Sequence, residues 1–185
     1  MVTVMNGCHD MTSQGGPPRG LCHTEQCVKP PFMARLEDIP QPTRDVVRNL
    51  PCPSFDTTPF VAGPPLSQRR IAILSSAALV KRGDPPFPFG SGECRFVSAD
   101  TPTSELLISH VSINFDRAGW QRDVNVVFPI DRLKEMAAAG EIGGVAPTHY
   151  TVMGSTDPAE MAASVEQIVG QLRQERIDSI LLSPV

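Results

Sequence analysis

Around residue 70 the chain acquires a regular hydrophobic pattern. Arg70 to Ser75 reads Arg-Ile-Ala-Ile-Leu-Ser, a near-continuous apolar run of strand length, as expected of a parallel strand covered on both faces. Cys94 to Ser98 and Leu106 to Ile108 predict shorter strands, and so do Val124 to Phe128, Ile142 to Ala146 and Tyr150 to Met153. Between them the period lengthens. Pro129 to Ala139 puts Ile130, Leu133, Met136 and Ala137 on one helical face, with Gly140 placed to end it. Pro158 to Arg176 predicts the longest helix. Asp157 can cap it, Pro158 suits its first turn and Glu160 completes a box-like start; Met161, Val165, Ile168, Val169 and Leu172 form its core stripe. Ile177 to Leu182 then reads as another buried strand. Strands alternating with helices predict an α/β fold, Rossmann-like or flavodoxin-like, layered about a mostly parallel sheet. Val185 falls at the tip of that last strand, where such folds build their sites. The α/β domain at 69–185 is therefore expected to be the N-terminal part of a longer domain, incomplete at its C-terminus.

The chain before residue 69 has a different texture. Residues 1–32 carry Gly15-Gly16-Pro17-Pro18 and Pro30-Pro31 without helical or strand period, and are expected to be a disordered extension, with Met33 as an alternative start. Residues 33–68 form a proline-rich arm with room for one short helix near Thr43 to Leu50. Of the nineteen prolines, fourteen precede residue 90, so loops are concentrated in the first half.

Composition narrows the function. A net charge of -4, with no basic stripe, argues against nucleic acid as a partner. No apolar run reaches membrane-spanning length and no signal-peptide order opens the chain, so a cytoplasmic protein is expected. The odd count of five cysteines favours reduced thiols over disulfides. Cys8, His9, Cys22, His23 and Cys27 include enough ligand types for zinc but match no standard zinc spacing, so no metal is expected. Cys52, between two prolines, and Cys94 read as packed thiols rather than nucleophiles. Gly90-Ser91-Gly92, in the long loop from Gly83, offers amides to an anion but lacks a Walker or Rossmann frame.

The stretch Ser109 to Asp131 stands out as the site candidate. Two apolar runs, Leu106 to Ile108 and Val124 to Phe128, bound a segment holding a histidine, hydroxyls, asparagines, aspartates, arginines and the only tryptophan. That is more hydrogen-bonding capacity than a surface turn requires, on a loop fixed by flanking strands. The pattern Ser-His-x-Ser-x-x-Phe-Asp-Arg from Ser109 to Arg117, then Asp-x-Asn-Val-Val-Phe-Pro-Ile-Asp-Arg-Leu from Asp123 to Leu133, resembles the selenoprotein B component of the glycine, sarcosine, betaine and D-proline reductases. Ala99 to Glu105 and His149 to Gly154 extend the resemblance, which runs from about Met33 to Val185.

The resemblance implies an oxidoreductase component, of the class with a disulfide as acceptor, that cleaves a carbon–nitrogen or related bond of a small amino-acid-like substrate. In that chemistry a pyruvoyl group on a partner subunit condenses with the substrate amine, and a selenolate attacks the α-carbon. It also implies a selenocysteine, or a cysteine in its place, following Val185, encoded by a UGA that ordinary gene reading takes as stop; the chain alone is then inactive. A thiol or selenol carrier protein is a further expected partner, and a homo-oligomer is possible. The candidate catalytic residues are His110, as acid or selenolate partner, with Asp116 and Asp123 to orient it. Arg117 can hold a carboxylate with its forked donors; Ser109, Ser112, Asn114, Asn125 and His149 complete the substrate-binding set. For each of these a structural role is the competing reading, with the charged residues pairing to hold the loop. A non-catalytic α/β module that binds a small molecule or a partner is the alternative function.

Overall fold

Proline punctuation leaves the described residues before Asp56 only short helical elements, whereas the apolar runs after it build a layered sheet. The computed structural model describes residues 35–51, 54, 56–58, 60–112 and 117–185, in two compact units that divide at Asp56. The predictions for residues 1–32, with their cysteines and histidines, and for Cys52 lie outside the described residues. In the smaller unit a 3-10 turn, Leu36–Asp38, precedes α1 (Gln41–Arg48), with Pro42 in its first turn. Arg44 ties the two together by donating to the carbonyls of Glu37 and Ile39.

In the larger unit the order is β1 (Arg70–Ser75), β2 (Leu79–Lys81), β3 (Cys94–Ser98), β4 (Leu106–Ile108), α2 (Ala118–Arg122), α3 (Ile130–Ala138), β5 (Gly144–Val145), β6 (Thr148–Val152), α4 (Ala162–Gln174) and β7 (Ser179–Ser183). β1 is central. It pairs in parallel with β7 from Ile71↔Ser179 to Ser75↔Ser183. Its other side pairs first with β5, at Arg70 and Ile71, and then with β6, at Leu74 and Ser75, both parallel. β3 adds antiparallel outside β6. The fold is thus α/β with a mostly parallel sheet. Among the described residues no helix is long and apolar enough to cross a membrane.

Alternation along β1 sorts the core into two layers. Ile71 and Ile73 pack with Phe128, Ile130, Leu133 and Ile142 on the α3 side. Ala72 packs with Ala146, Tyr150 and Ile168 on the α4 side. Each fully buried large aliphatic side chain contributes roughly 1.5–3 kcal/mol, so the two faces together hold the helices to the sheet. Beyond the end of β1 the antiparallel pair β2–β4 covers a third cluster, Ala78, Val80, Phe87 and Met153.

Helix ends follow their sequence signals. Asp157 accepts from the N–H of Ala159 at 2.9 Å. Gly140, at φ 73°, closes α3 with a Schellman pair, its N–H on Ala137 and that of Glu141 on Met136. α4 ends in the same pair, Arg176 on Arg173 and Ile177 on Leu172, but the left-handed residue is Arg176 at φ 54°.

Two expectations are corrected. Val124 to Phe128 is not a strand: Val124–Val126 is a 3-10 turn, because the Asp123 carboxylate captures the N–H of Asn125 and bends the backbone. Val165 is exposed rather than in the stripe, and Ser164 is buried instead. The first turn, Pro158–Met161, is 3-10, and its three-residue period shifts the face that the following α-helix presents. Ser164 donates to the carbonyl of Gly92 at 2.6 Å.

Candidate functional site

The C-terminal tips of β1 and β7 lie side by side, and serine occupies both. Ser75 and Ser183, in register, each donate a hydroxyl to the carbonyl of Val127, at 2.7 and 2.9 Å. This fastens the loop after Asp123 across the strand ends. Ser75 also accepts the N–H of Ala77, at 3.2 Å. Ser76 joins three segments: its N–H donates to Ser183, its carbonyl accepts from Gly154 and its hydroxyl accepts from Val185, at 3.1, 3.0 and 2.9 Å. A Cβ on Gly154 would sit 2.8 Å from the Ser76 carbonyl oxygen, so only glycine permits this approach. A cavity of about 140 Å³ opens beside these tips, between Leu74, Ser76 and Val152 on one side and Leu182 to Pro184 on the other.

The chain leaves the tip of β1 through Ala78, a buried residue at φ 52°. A left-handed alanine carries about 1 kcal/mol or more of strain. The N–H of Ala78 bonds Val152 and its carbonyl accepts from Ser109, at 3.0 and 2.9 Å, which holds the turn in place.

The predicted site residues separate into three places. Ser109, His110, Ser112 and Arg117 sit together after β4. The Ser109 hydroxyl accepts the N–H of Phe87 at 2.8 Å, fixing the proline-rich loop. His110 is buried; its Nδ1 accepts from the N–H of Ser112 at 3.1 Å, and Arg117 donates to its carbonyl at 2.9 Å. Burial, then the Arg117 charge, hold its imidazole below the ordinary 6.5, so it is neutral at pH 7. Asn114 and Asp116 lie outside the described residues.

Asp123 and Asn125 form the second group, with Asp131. The Asn125 amide donates to Asp123 Oδ1 at 2.8 Å and to Asp131 Oδ2 at 3.0 Å, and its oxygen accepts the N–H of Asp131. Hydrogen bonds from Asn125 hold the Asp123 carboxyl below its usual range. These residues line one wall of a cavity of about 400 Å³, which Arg82, Thr103, Ser104, Trp120 and Arg122 complete. The sequence flagged the single tryptophan but not its partnership with Arg82, which comes from a segment nearly forty residues earlier.

His149 takes the third place, inside the sheet. β1 changes neighbour from β5 to β6 at Ile73, and the N–H of Ile73 bonds the Nδ1 of His149 at 3.0 Å instead of a strand carbonyl. The ring is fully buried, with Phe128 perpendicular to it at 5.5 Å. Burial pushes its pKa down to about 4. This geometry suits a structural bond. Cys94 is half-buried with its thiol near the Ser164 carbonyl, and burial raises its pKa, as for a packed thiol. Among the described residues no cluster of three or more His, Cys, Asp or Glu could hold a metal ion.

A family model described as glycine/sarcosine/betaine reductase selenoprotein B matches residues 41–184. The D-proline reductase subunit gamma of Acetoanaerobium sticklandii is 26% identical over 121 residues, covering 64% of this chain and 49% of that protein. The glycine reductase complex component B subunit gamma of Carboxydothermus hydrogenoformans is 28% identical over 142 residues, and the betaine reductase complex component B subunit beta of Peptoclostridium acidaminophilum 28% over 140; each comparison covers 72% of this chain and 32% of the relative. The chain therefore spans about half the length of the first and a third of the others. No solved structure matches it.

Proposed function

The chain belongs to the glycine/sarcosine/betaine reductase selenoprotein B family, and from that premise we propose that it is part of a selenol- or thiol-dependent reductase component that cleaves a carbon–nitrogen bond of a small amino-acid-like substrate. The observation that carries the reading is the convergence of the β1 and β7 tips at Ser75, Ser76 and Ser183 under the Val127 loop. In open α/β sheets ligands bind at this end of the strands. A redox residue that follows β7 in the intact polypeptide lies at that end, beside the turn through Ala78.

In this reading the chain's own residues prepare the site. Ser76 pins the backbone leaving β7. His110, neutral at pH 7, serves as a proton carrier only once a neighbouring anion raises its pKa. Arg117 fixes the His110 segment, while Asp123 and Asn125 shape the wall of the cavity that Trp120 lines. A pyruvoyl-bearing subunit and a thiol or selenol carrier are the proposed partners, and the cytoplasm the proposed location.

The test is the native gene beyond codon 185, with the intact mass and selenium content of the native protein. An in-frame UGA or cysteine codon within an open frame, with a longer product bearing that residue, is the expected result. A UAA or UAG at the next codon, with a selenium-free product of 185 residues, would overturn the redox reading and favour a binding module.

A further inference from the structure

Among the described residues β7 pairs only with β1, which leaves its outer edge open. The N–H of Ser76 bonds the carbonyl of Ser183 across the β1–β7 ladder. Backbone groups alternate sides along a strand, so Leu181 and Ser183 turn theirs toward β1, and Ile180 and Leu182 turn theirs outward. Such an edge is a template for another strand, and sheets commonly guard one with charge, proline or a bulge. Ser179–Ser183 carries no charge and no proline, and its register with β1 is unbroken. Apolar surface flanks it on both faces. On the α3 side Leu181 borders a hollow of about 120 Å³, lined also by Leu66, Leu133, Met136 and Ile142. On the α4 side Leu182, 39% exposed, borders the cavity of about 140 Å³ with Leu74 and Val152.

We propose that a second copy of the chain occupies this edge, its β7 antiparallel to the first and centred on Leu181, so that one sheet runs through a two-fold dimer. The strand is its own complement. Ser179-Ile180-Leu181-Leu182-Ser183 reads nearly the same in both directions, as a self-paired contact requires, and sets no like charges against each other. The backbone selects the register. With Leu181 opposite Leu181, Ile180 of each copy faces Leu182 of the other, and each such pair exchanges two hydrogen bonds through the groups that point outward. Centring on Leu182 instead would set Ile180 against Pro184, which has no N–H. Centring on Ile180 would set Leu182 against Asp178, whose N–H already bonds Arg70. The contact uses the side of β7 and not its tip, so it is independent of the redox reading.

The 185-residue protein is followed by sedimentation equilibrium and light scattering over a range of concentrations. A reversible monomer–dimer equilibrium without larger species is expected, because closing the two-fold consumes both β7 edges. Leu182→Lys alters an exposed side chain and sets a charge against Ile180 of the other copy; it should weaken the dimer by roughly tenfold or more while leaving the circular dichroism unchanged. Leu181→Cys should link the two copies under mild oxidation, since facing residues of a non-hydrogen-bonded pair lie about 4.5 Å apart at Cα, within disulfide reach. The linked product is a pair of tryptic peptides from Ile177 to Val185, which distinguishes it from bonds through the native cysteines. Leu182→Cys, opposite Ile180, should not link. A monomer at every concentration, open-ended association, a dimer that Leu182→Lys leaves intact, or linkage through Leu182→Cys in preference to Leu181→Cys would each overturn the proposal, and none of these would touch the redox reading.

Discussion

His149 should make the stability of this fold depend on pH in a way that one substitution removes. Its Nδ1 accepts the N–H of Ile73 where β1 passes from β5 to β6, and a proton on that nitrogen breaks the bond and leaves a charge in the core. Burial is the main cause of its low pKa, with Lys134 lowering it further and Glu175 opposing. The folded imidazole takes a proton only near pH 4, the unfolded one near its ordinary 6.5. Between these values the unfolded chain binds more protons, so stability rises with pH across the window. The contribution is complete above about pH 6.5 and disappears as pH falls toward 4. At about 1.4 kcal/mol per pH unit, the full effect is about 3 kcal/mol, most of which is lost between about pH 7 and pH 4.5. Urea unfolding at those two pH values gives the wild-type loss. His110, also held low, and the carboxylates contribute in parallel, so His149→Gln, which keeps an acceptor and removes the titration, is the reference. The wild type should lose roughly 2–3 kcal/mol more than His149→Gln over this interval. Equal losses would refute the argument.

Two further substitutions test close packing and backbone strain. Gly92→Ala places a Cβ onto the Glu160 carbonyl oxygen, which a backbone atom cannot avoid, and should destabilise the protein by about 1–3 kcal/mol in thermal or urea unfolding, or more if β3 separates from α4. Arg176→Gly relieves the left-handed residue that closes α4, at the cost of the more flexible unfolded glycine, and should raise stability by up to about 1 kcal/mol; Gly140→Ala at the matching position of α3 should lower it by a similar amount.

What the sequence could convey depended on how local the signal was. Arg70–Ser75 was readable as the central strand because a strand buried on both faces needs an unbroken apolar run, and α3 was readable from its period and its terminal glycine. The turn at Val124–Val126 was not, since Val-Asn-Val-Val-Phe has strand composition and one hydrogen bond from Asn125 to Asp123 decides otherwise. The place of His149 depends on Ile73, 76 residues away, and on a break between two short strands that no periodicity reveals. The polar stretch was rightly seen as rich in hydrogen bonds. Its division into a segment around His110 and a cavity wall at Asp123 and Asn125 arises from tertiary folding, which brings Arg82 to the cavity that Arg122 also lines.

The carbonyl of Val127 accepts from two hydroxyls, one on each of two neighbouring strands. Both of its lone pairs are thereby occupied, so neither water nor a ligand can compete for it without displacing a serine. Val127 follows Val124 and Asn125, which line the large cavity, by only a few residues. A ligand that draws this wall inward must therefore pull on the strand tips or break two bonds at once. Any such energetic link acts equally in both directions, so occupancy of the cavity and the conformation of the strand tips each report on the other.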